Sequence, residues 1–257
     1  MTFPRTRRAT VRPSPVFFAV LAAAVGGGAL AWQAAPRSTT AGVGVFLLVV
    51  AGWVVTVCLH EFGHAYTAWR YGDHEVAARG YLTLNPLKYS HPVLSIGLPV
   101  LFIALGGIGL PGGAVNLRTD LLPPRAVRRI TLAGPAVNAL AAAGLLAAIR
   151  LFGDAGTHPA FWWGLSFLAF LQVMATVLNL IPIPGLDGYA ALEPSLSPRT
   201  RHSLDQFKAL GMLLLIGLLF VPSVNRVFFD AIYALFELSG VPGVWAQYGN
   251  YLLRFWQ

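Results

Sequence analysis

Charge is scarce in this chain. Only 11% of its 257 residues are charged, against about a quarter in an ordinary soluble domain. Together with a mean hydropathy of +0.64, this excludes a soluble globular fold. Cysteine is nearly absent too. A single Cys58 rules out an internal disulfide framework, and its place in an apolar run reads as small-residue packing rather than redox or metal chemistry. Acidic residues number 10 against 18 lysines and arginines, a net charge of +8. The basic residues form no stripe with interleaved aromatics, so nucleic-acid binding is excluded. They fall in short segments between apolar runs, where they orient a membrane protein. No internal repeat and no low-complexity segment occurs. What fills the chain instead is hydrophobic, 56% of all residues, gathered in runs of about 20 residues, the length of a bilayer span.

Arg5, Arg7, Arg8 and Arg12 precede an apolar run from Val16 to Ala35. A basic segment before such a run also fits a cleaved signal peptide, but its length favours a retained first helix with the N-terminus in the cytoplasm. A second span is expected at about residues 42–69, returning inward to end beside Arg70. Residues 70–91 read as a polar cytoplasmic loop. The apolar stretch 92–110 carries basic residues on both flanks, which conflicts with a single crossing and predicts a re-entrant or hairpin segment. A full crossing is the alternative. Ala114–Leu117, after a run of glycines, fits a short strand. Residues 130–150 are expected to cross outward and 160–181 to return, followed by a cytoplasmic loop over 183–208 and another apolar run at 209–222. Arg226, Asp230, Tyr233 and Glu237 recur at helical spacing, which predicts an interfacial amphipathic helix or a last helix packed on the bundle.

The expected fold is an all-α polytopic membrane protein of about five to six transmembrane helices, with a re-entrant or short β segment near the active site. Three regions follow. Residues 1–41 hold the basic tail and first helix, and 42–190 the core that carries the chemistry. Residues 191–257 hold a cytoplasmic loop, a further span and the amphipathic C-terminal helix.

The second span closes on His60-Glu61-Phe62-Gly63-His64. Histidines at i and i+4 share one helix face, so both imidazoles can reach a single metal ion. A glutamate between them is the usual general base of a zinc peptidase. Ionisable side chains within a bilayer are costly and point to function. A catalytic zinc needs a third protein ligand and an open position for water. The candidate is Asp187, in Asn179-Leu-Ile-Pro-Ile-Pro-Gly-Leu-Asp187-Gly188. That segment unwinds at two prolines on the membrane side where His60 and His64 sit. Standing alone, Asp187 would read as a turn aspartate before glycine.

These residues resemble the site-2 proteases, the intramembrane zinc metalloproteases. The likeness rests on HEFGH in a transmembrane helix, on the distant Asn-x-x-Pro-x-Pro-x-Leu-Asp-Gly, and on Ala133-Gly-Pro-Ala-Val-Asn138, which is similar to the family's Ala-Gly-Pro-x-x-Asn segment. It spans roughly residues 45–190. The resemblance implies one zinc ion per chain held by His60, His64 and Asp187, with Glu61 as catalytic base. It implies that Asn179 lies near the substrate carbonyl, and that the glycine-rich segment to Leu117 pairs with extended substrate. It further implies cleavage of transmembrane segments of other proteins in the cell membrane, with the active site towards the cytoplasm. Unlike larger members, the chain has no room for a PDZ or CBS domain. Two other functions fit a metal site in a helix bundle: a catalytically silent scaffold of the same fold, and a zinc transporter. The remaining histidines, His74, His91, His158 and His202, fall in loops as solvated polar residues, and Asn138 reads as a helix-contact residue.

Overall fold

The computed structural model describes residues 11–89, 122–208, 210, 211, 217 and 219–257. Among them the regular structure is helical, without strands. The expected re-entrant segment at 92–110 and the strand at 114–117 lie outside the described residues, as does half of the run at 209–222. Among the described residues, four helices are long and apolar enough to cross a bilayer: α1 (Pro15–Gln33), α2 (Thr39–Arg70), α3 (Pro124–Phe152) and α4 (Pro159–Leu180). The chain is thus an all-α polytopic membrane protein. Among the described residues, shorter helices include one turn at Glu75–Ala78 and, after α4, α5 (Asp187–Leu192), α6 (Pro198–Asp205), α7 (Pro222–Glu237) and α8 (Gly243–Leu253).

Helix starts follow local chemistry. α1, α3, α4, α6 and α7 each begin on a proline, whose fixed φ suits the first helical position and whose missing N–H costs nothing there. Ser14 and Ser38 cap α1 and α2, accepting from the N–H groups of Phe17 and Ala41, each at 3.1 Å, and so satisfy donors that a helix start leaves open. α3 begins earlier than the expected 130, because Arg125, Arg128 and Arg129 continue the helix beyond its apolar part; arginine is a good helix former.

α1 and α2 form a tight pair through small residues. A β-carbon on Gly27 would fall 2.5 Å from the Leu48 backbone nitrogen, and one on Gly44 would fall 2.6 Å from that of Ala31. Backbone contact of this kind is how helices associate where lipid removes the hydrophobic drive. The apolar windows of α2 and α4 are 61% and 72% buried, against 28% and 33% for α1 and α3. The first two are therefore the central helices and the others the flanks. Trp53 on α2 and Phe170, Leu171, Met174 and Leu178 on α4 fill the core between them.

Two features differ from the sequence reading. The stretch after α2 is packed rather than solvated: Val76, Tyr81, Leu82, Leu84 and Tyr89 are buried with Phe17, Cys58 and Ala65. The Tyr89 hydroxyl donates to the Cys58 carbonyl at 3.0 Å, and the Ser14 N–H to the Thr83 carbonyl at 2.8 Å. Cys58 is a packing residue, as its surroundings predict. The tail holds two helices where one is expected, divided at Gly240 (φ +79°) and Pro242. Ile232 and Phe236 of α7 are buried in the main core, so of the two expected arrangements the tail helix takes the one packed on the bundle. α8 docks on α4 at Gly249, whose β-carbon would collide with the Trp163 carbonyl.

Candidate metal centre

His60 and His64 lie on the last third of α2, both buried. The third residue comes from the far end of the bundle core. The chain leaves α4 at Leu180, passes Pro182 and Pro184, turns at Gly185 (φ +97°) and re-enters a helix at Asp187. Gly188 makes that return possible. A β-carbon there would stand 2.8 Å from the Ile181 carbonyl oxygen and would strike the Leu180 carbonyl. The glycine thus presses α5 onto the end of α4 and points Asp187 at the α2 histidines.

The donor atoms converge. His60 Nε2 and His64 Nε2 are 3.1 Å apart, and each is 3.3 Å from Asp187 Oδ2. In a tetrahedral zinc site with bonds near 2.0–2.1 Å, neighbouring ligand atoms are separated by about 3.3 Å. The observed triangle therefore has the size of one face of that tetrahedron. Among the described residues this is the one group of His, Cys, Asp and Glu side chains able to hold a metal.

Hydrogen bonding sharpens the fit. His64 Nδ1 lies 2.7 Å from the Ile130 carbonyl oxygen. A carbonyl accepts only, so Nδ1 carries a proton, and in the neutral ring that a metal requires Nε2 offers its lone pair to the cluster. A lone pair beside a carboxylate oxygen repels it unless a cation lies between. The residues present fit zinc, and the fourth tetrahedral position is left for water. Glu61 follows His60 in the helix and is 2% exposed.

Close helix approach builds the surroundings. Gly63, inside the HEFGH segment, lets α2 meet α3: its β-carbon would fall 3.0 Å from both the Ala133 carbonyl oxygen and Val137 Cγ2. Gly134 on α3 faces the imidazoles directly. A β-carbon there would stand 2.6 Å from His60 Nε2 and closer still to His64 Nε2. The Ala-Gly-Pro segment thus has a steric role at the metal centre that the sequence does not reveal by itself. Asn179 is buried on α4 and donates its amide to the Ala175 carbonyl at 3.0 Å. It lines a small cavity that also touches His60, Thr56, Asn138 and Gln172. His74 and His158 stand apart; His158 stacks on Trp32, with ring centroids 3.7 Å apart.

Basic residues secure this end of the bundle. Arg129 donates to the Tyr71 hydroxyl at 2.6 Å, Arg128 reaches the Ser195 hydroxyl, and Lys208 bridges Glu193 and Asp205 at 2.8 and 2.9 Å. Partial burial works against the Lys208 charge, but the two carboxylates outweigh it and raise its pKa above the ordinary lysine value.

Known proteins share this chain's sequence over nearly its whole length. It is 56% identical to "Putative zinc metalloprotease Rip2" of Mycolicibacterium smegmatis, over 98% of this chain and 97% of that protein. Rip2 of Mycobacterium tuberculosis is 55% identical over 97% of this chain and 96% of its own. The like-named YwhC of Bacillus subtilis is 31% identical over 70% of this chain and 84% of its own. No family model matches the chain, and no solved structure does. The near-complete alignment to the two Rip2 proteins and a donor triangle of zinc dimensions lead to one assignment: the chain belongs to the site-2 protease family of zinc metalloproteases.

Proposed function

We propose that this protein is an intramembrane endopeptidase, cleaving peptide bonds within transmembrane segments of other membrane proteins. The observation that carries the reading is the convergence of His60, His64 and Asp187 on a helix built to span a bilayer. At 1.5 Å per residue, His60 lies about 32 Å along α2 from its start, and a hydrocarbon core is about 30 Å thick. The centre would therefore sit near one membrane face. Arg70, Arg125, Arg128 and Arg129 flank that end, which supports the cytoplasmic side of the cell membrane. In this reading residues 42–190 are the protease core, 1–41 the basic tail and first helix, and 191–257 an appended loop and helices.

His60, His64 and Asp187 hold the metal. When bound, zinc polarises the scissile carbonyl and acidifies water at its open position. Glu61 takes a proton from the attacking water and delivers it to the leaving amide nitrogen, so that cleavage yields a neutral amine. Asn179 faces the substrate carbonyl and holds the peptide in register. A transmembrane substrate hides its scissile bond in helical hydrogen bonds, so it unwinds locally before cleavage.

Wild type and Glu61→Gln, purified in detergent, test this directly. Bound zinc is measured in both, and each is assayed against a panel of single-span membrane proteins. Zinc in both, with cleavage by wild type alone, supports the peptidase. Zinc in both without cleavage by either points to a silent scaffold, and zinc flux in vesicles points to a transporter.

A further inference from the structure

His64 has a clear partner for its second ring nitrogen, the Ile130 carbonyl. His60 has none among the described residues, although its Nδ1 is buried. A metal-binding histidine nearly always donates its other N–H to a carboxylate, a carbonyl or a water, which fixes tautomer and ring orientation. The question is what serves His60.

The cavity beside it supplies an answer. Trp53, Thr56, His60, Asn138, Gln172 and Asn179 line a space of about 10 Å³, enough for one water molecule. Gln172 is 1% exposed in the middle of α4, an expensive place for an amide unless its groups are satisfied. Its orientation follows from its neighbours. The Thr56 hydroxyl gives its one proton to the Trp53 carbonyl at 2.8 Å, so towards Gln172 it can only accept. The Gln172 group at 2.9 Å from Thr56 Oγ1 is therefore the NH₂. That leaves Oε1 as the free end, and it is buried with no partner among the described residues. Two residues that line the cavity thus each carry a buried polar atom without a partner among the described residues, one able to donate and the other to accept.

We infer that this cavity is a water site, in which one molecule accepts from His60 Nδ1–H and donates to Gln172 Oε1, making Gln172 a positioning residue for the metal ligand His60. Asn138 and Asn179 supply the remaining polar lining, which meets the two to four partners that a buried water needs. The chain Trp53 carbonyl, Thr56 hydroxyl, Gln172 amide, water, His60 runs in one donor sense throughout. Its effect is to place the His60 proton on Nδ1 and turn the Nε2 lone pair towards Asp187 and His64. The inference rests on the zinc-ligand reading above.

The test uses full-length protein in detergent. Zinc affinity is measured by chelator competition, and the state of His60 by ¹⁵N-histidine spectra. Gln172→Met keeps length and volume but removes the acceptor. It is expected to weaken zinc binding by about 10- to 100-fold, the usual effect of losing such a partner, and to abolish the single Nδ1–H tautomer of His60. Affinity within about twofold of wild type together with an unchanged His60 spectrum, in a variant that folds, overturns the inference. If Gln172→Met does not fold, Thr56→Val and Thr56→Ser decide. Thr56→Val frees the amide to flip and should weaken zinc binding, whereas Thr56→Ser retains the hydroxyl and should not. Equal affinity in those two overturns the water site. A wild type that binds no zinc overturns the ligand assignment instead.

Discussion

Gly134→Ala is the most diagnostic single substitution. It adds one methyl group on α3, a helix that contributes none of the three proposed ligands. That methyl would stand 2.6 Å from both Cε1 and Nε2 of His60, and nearer still to His64 Nε2. Carbon and nitrogen in ordinary contact sit about 3.5 Å apart, so the rings must withdraw by roughly 1 Å or α3 must shift by as much. Metal–ligand distances tolerate only about 0.2 Å. Overpacking a well-filled site costs about 1–3 kcal/mol, and each 1.4 kcal/mol is about tenfold in affinity. Zinc binding should therefore weaken by about 5- to 150-fold, with cleavage falling at least as far. The control lies on the same helix: a β-carbon on Gly144 would meet nothing within 4 Å. Gly144→Ala should leave zinc affinity unchanged and stabilise the helix by about 0.5–1 kcal/mol. Chelator competition on detergent-purified protein, with thermal unfolding alongside, measures both variants. A Gly134→Ala protein that binds zinc as tightly as wild type and retains its activity would refute the steric reasoning.

Other outcomes follow from the same geometry. Glu61→Gln should lower the cleavage rate by about 10²- to 10⁴-fold, the usual worth of a general base, while zinc content by metal analysis stays at the wild-type level. Asp187→Ala removes the single anionic donor, and dialysed protein should lose its zinc; a variant that keeps stoichiometric metal would remove Asp187 from the ligand set. Tyr89→Phe deletes the hydrogen bond to the Cys58 carbonyl and should cost about 0.5–1.5 kcal/mol, read as a lower unfolding midpoint. Gly27→Val drives a side chain into the Leu48 backbone; it should destabilise the α1–α2 pair by about 1–3 kcal/mol or more, seen as a lower midpoint or loss of monodisperse protein.

Much of the architecture was legible in the sequence because lipid imposes a simple code. Apolar runs of bilayer length marked α1, α2 and α4 to within about three residues, the ordinary uncertainty of helix ends read from sequence. HEFGH was legible because its spacing alone puts two imidazoles on one face. Asp187 needed the resemblance, since a lone Asp-Gly reads equally well as a turn. What escaped depends on contacts between distant segments. The resemblance marked the segment that holds Gly134, but nothing local says that Gly134 faces two imidazoles while Gly144 faces open space. Gln172 is one amide in a long apolar helix, and its importance lies in meeting Thr56 across the bundle. The stretch after α2 read as a polar loop because its charges dominate the pattern, and the inward turn of Tyr81, Leu82 and Tyr89 was not visible in it. α8 was missed because its apolar face is defined by the α4 surface it covers.

The distribution of the three donors along the chain also sets an order of biogenesis. His60 and His64 enter the membrane with the second helix, whereas Asp187 is made only after α3 and α4. A nascent protein holding the first hairpin has the two imidazoles but lacks Asp187, an incomplete site on the proposed ligand set for a metal whose catalytic centres use three protein ligands. Tight zinc capture must then wait until four helices have inserted and α5 has folded back on α4. Since metal binding is coupled to folding free energy, the ion would act as a clasp closed last. Half-assembled chains would stay metal-poor, and under the proposed function they would be hydrolytically inert towards neighbouring membrane proteins until assembly is complete.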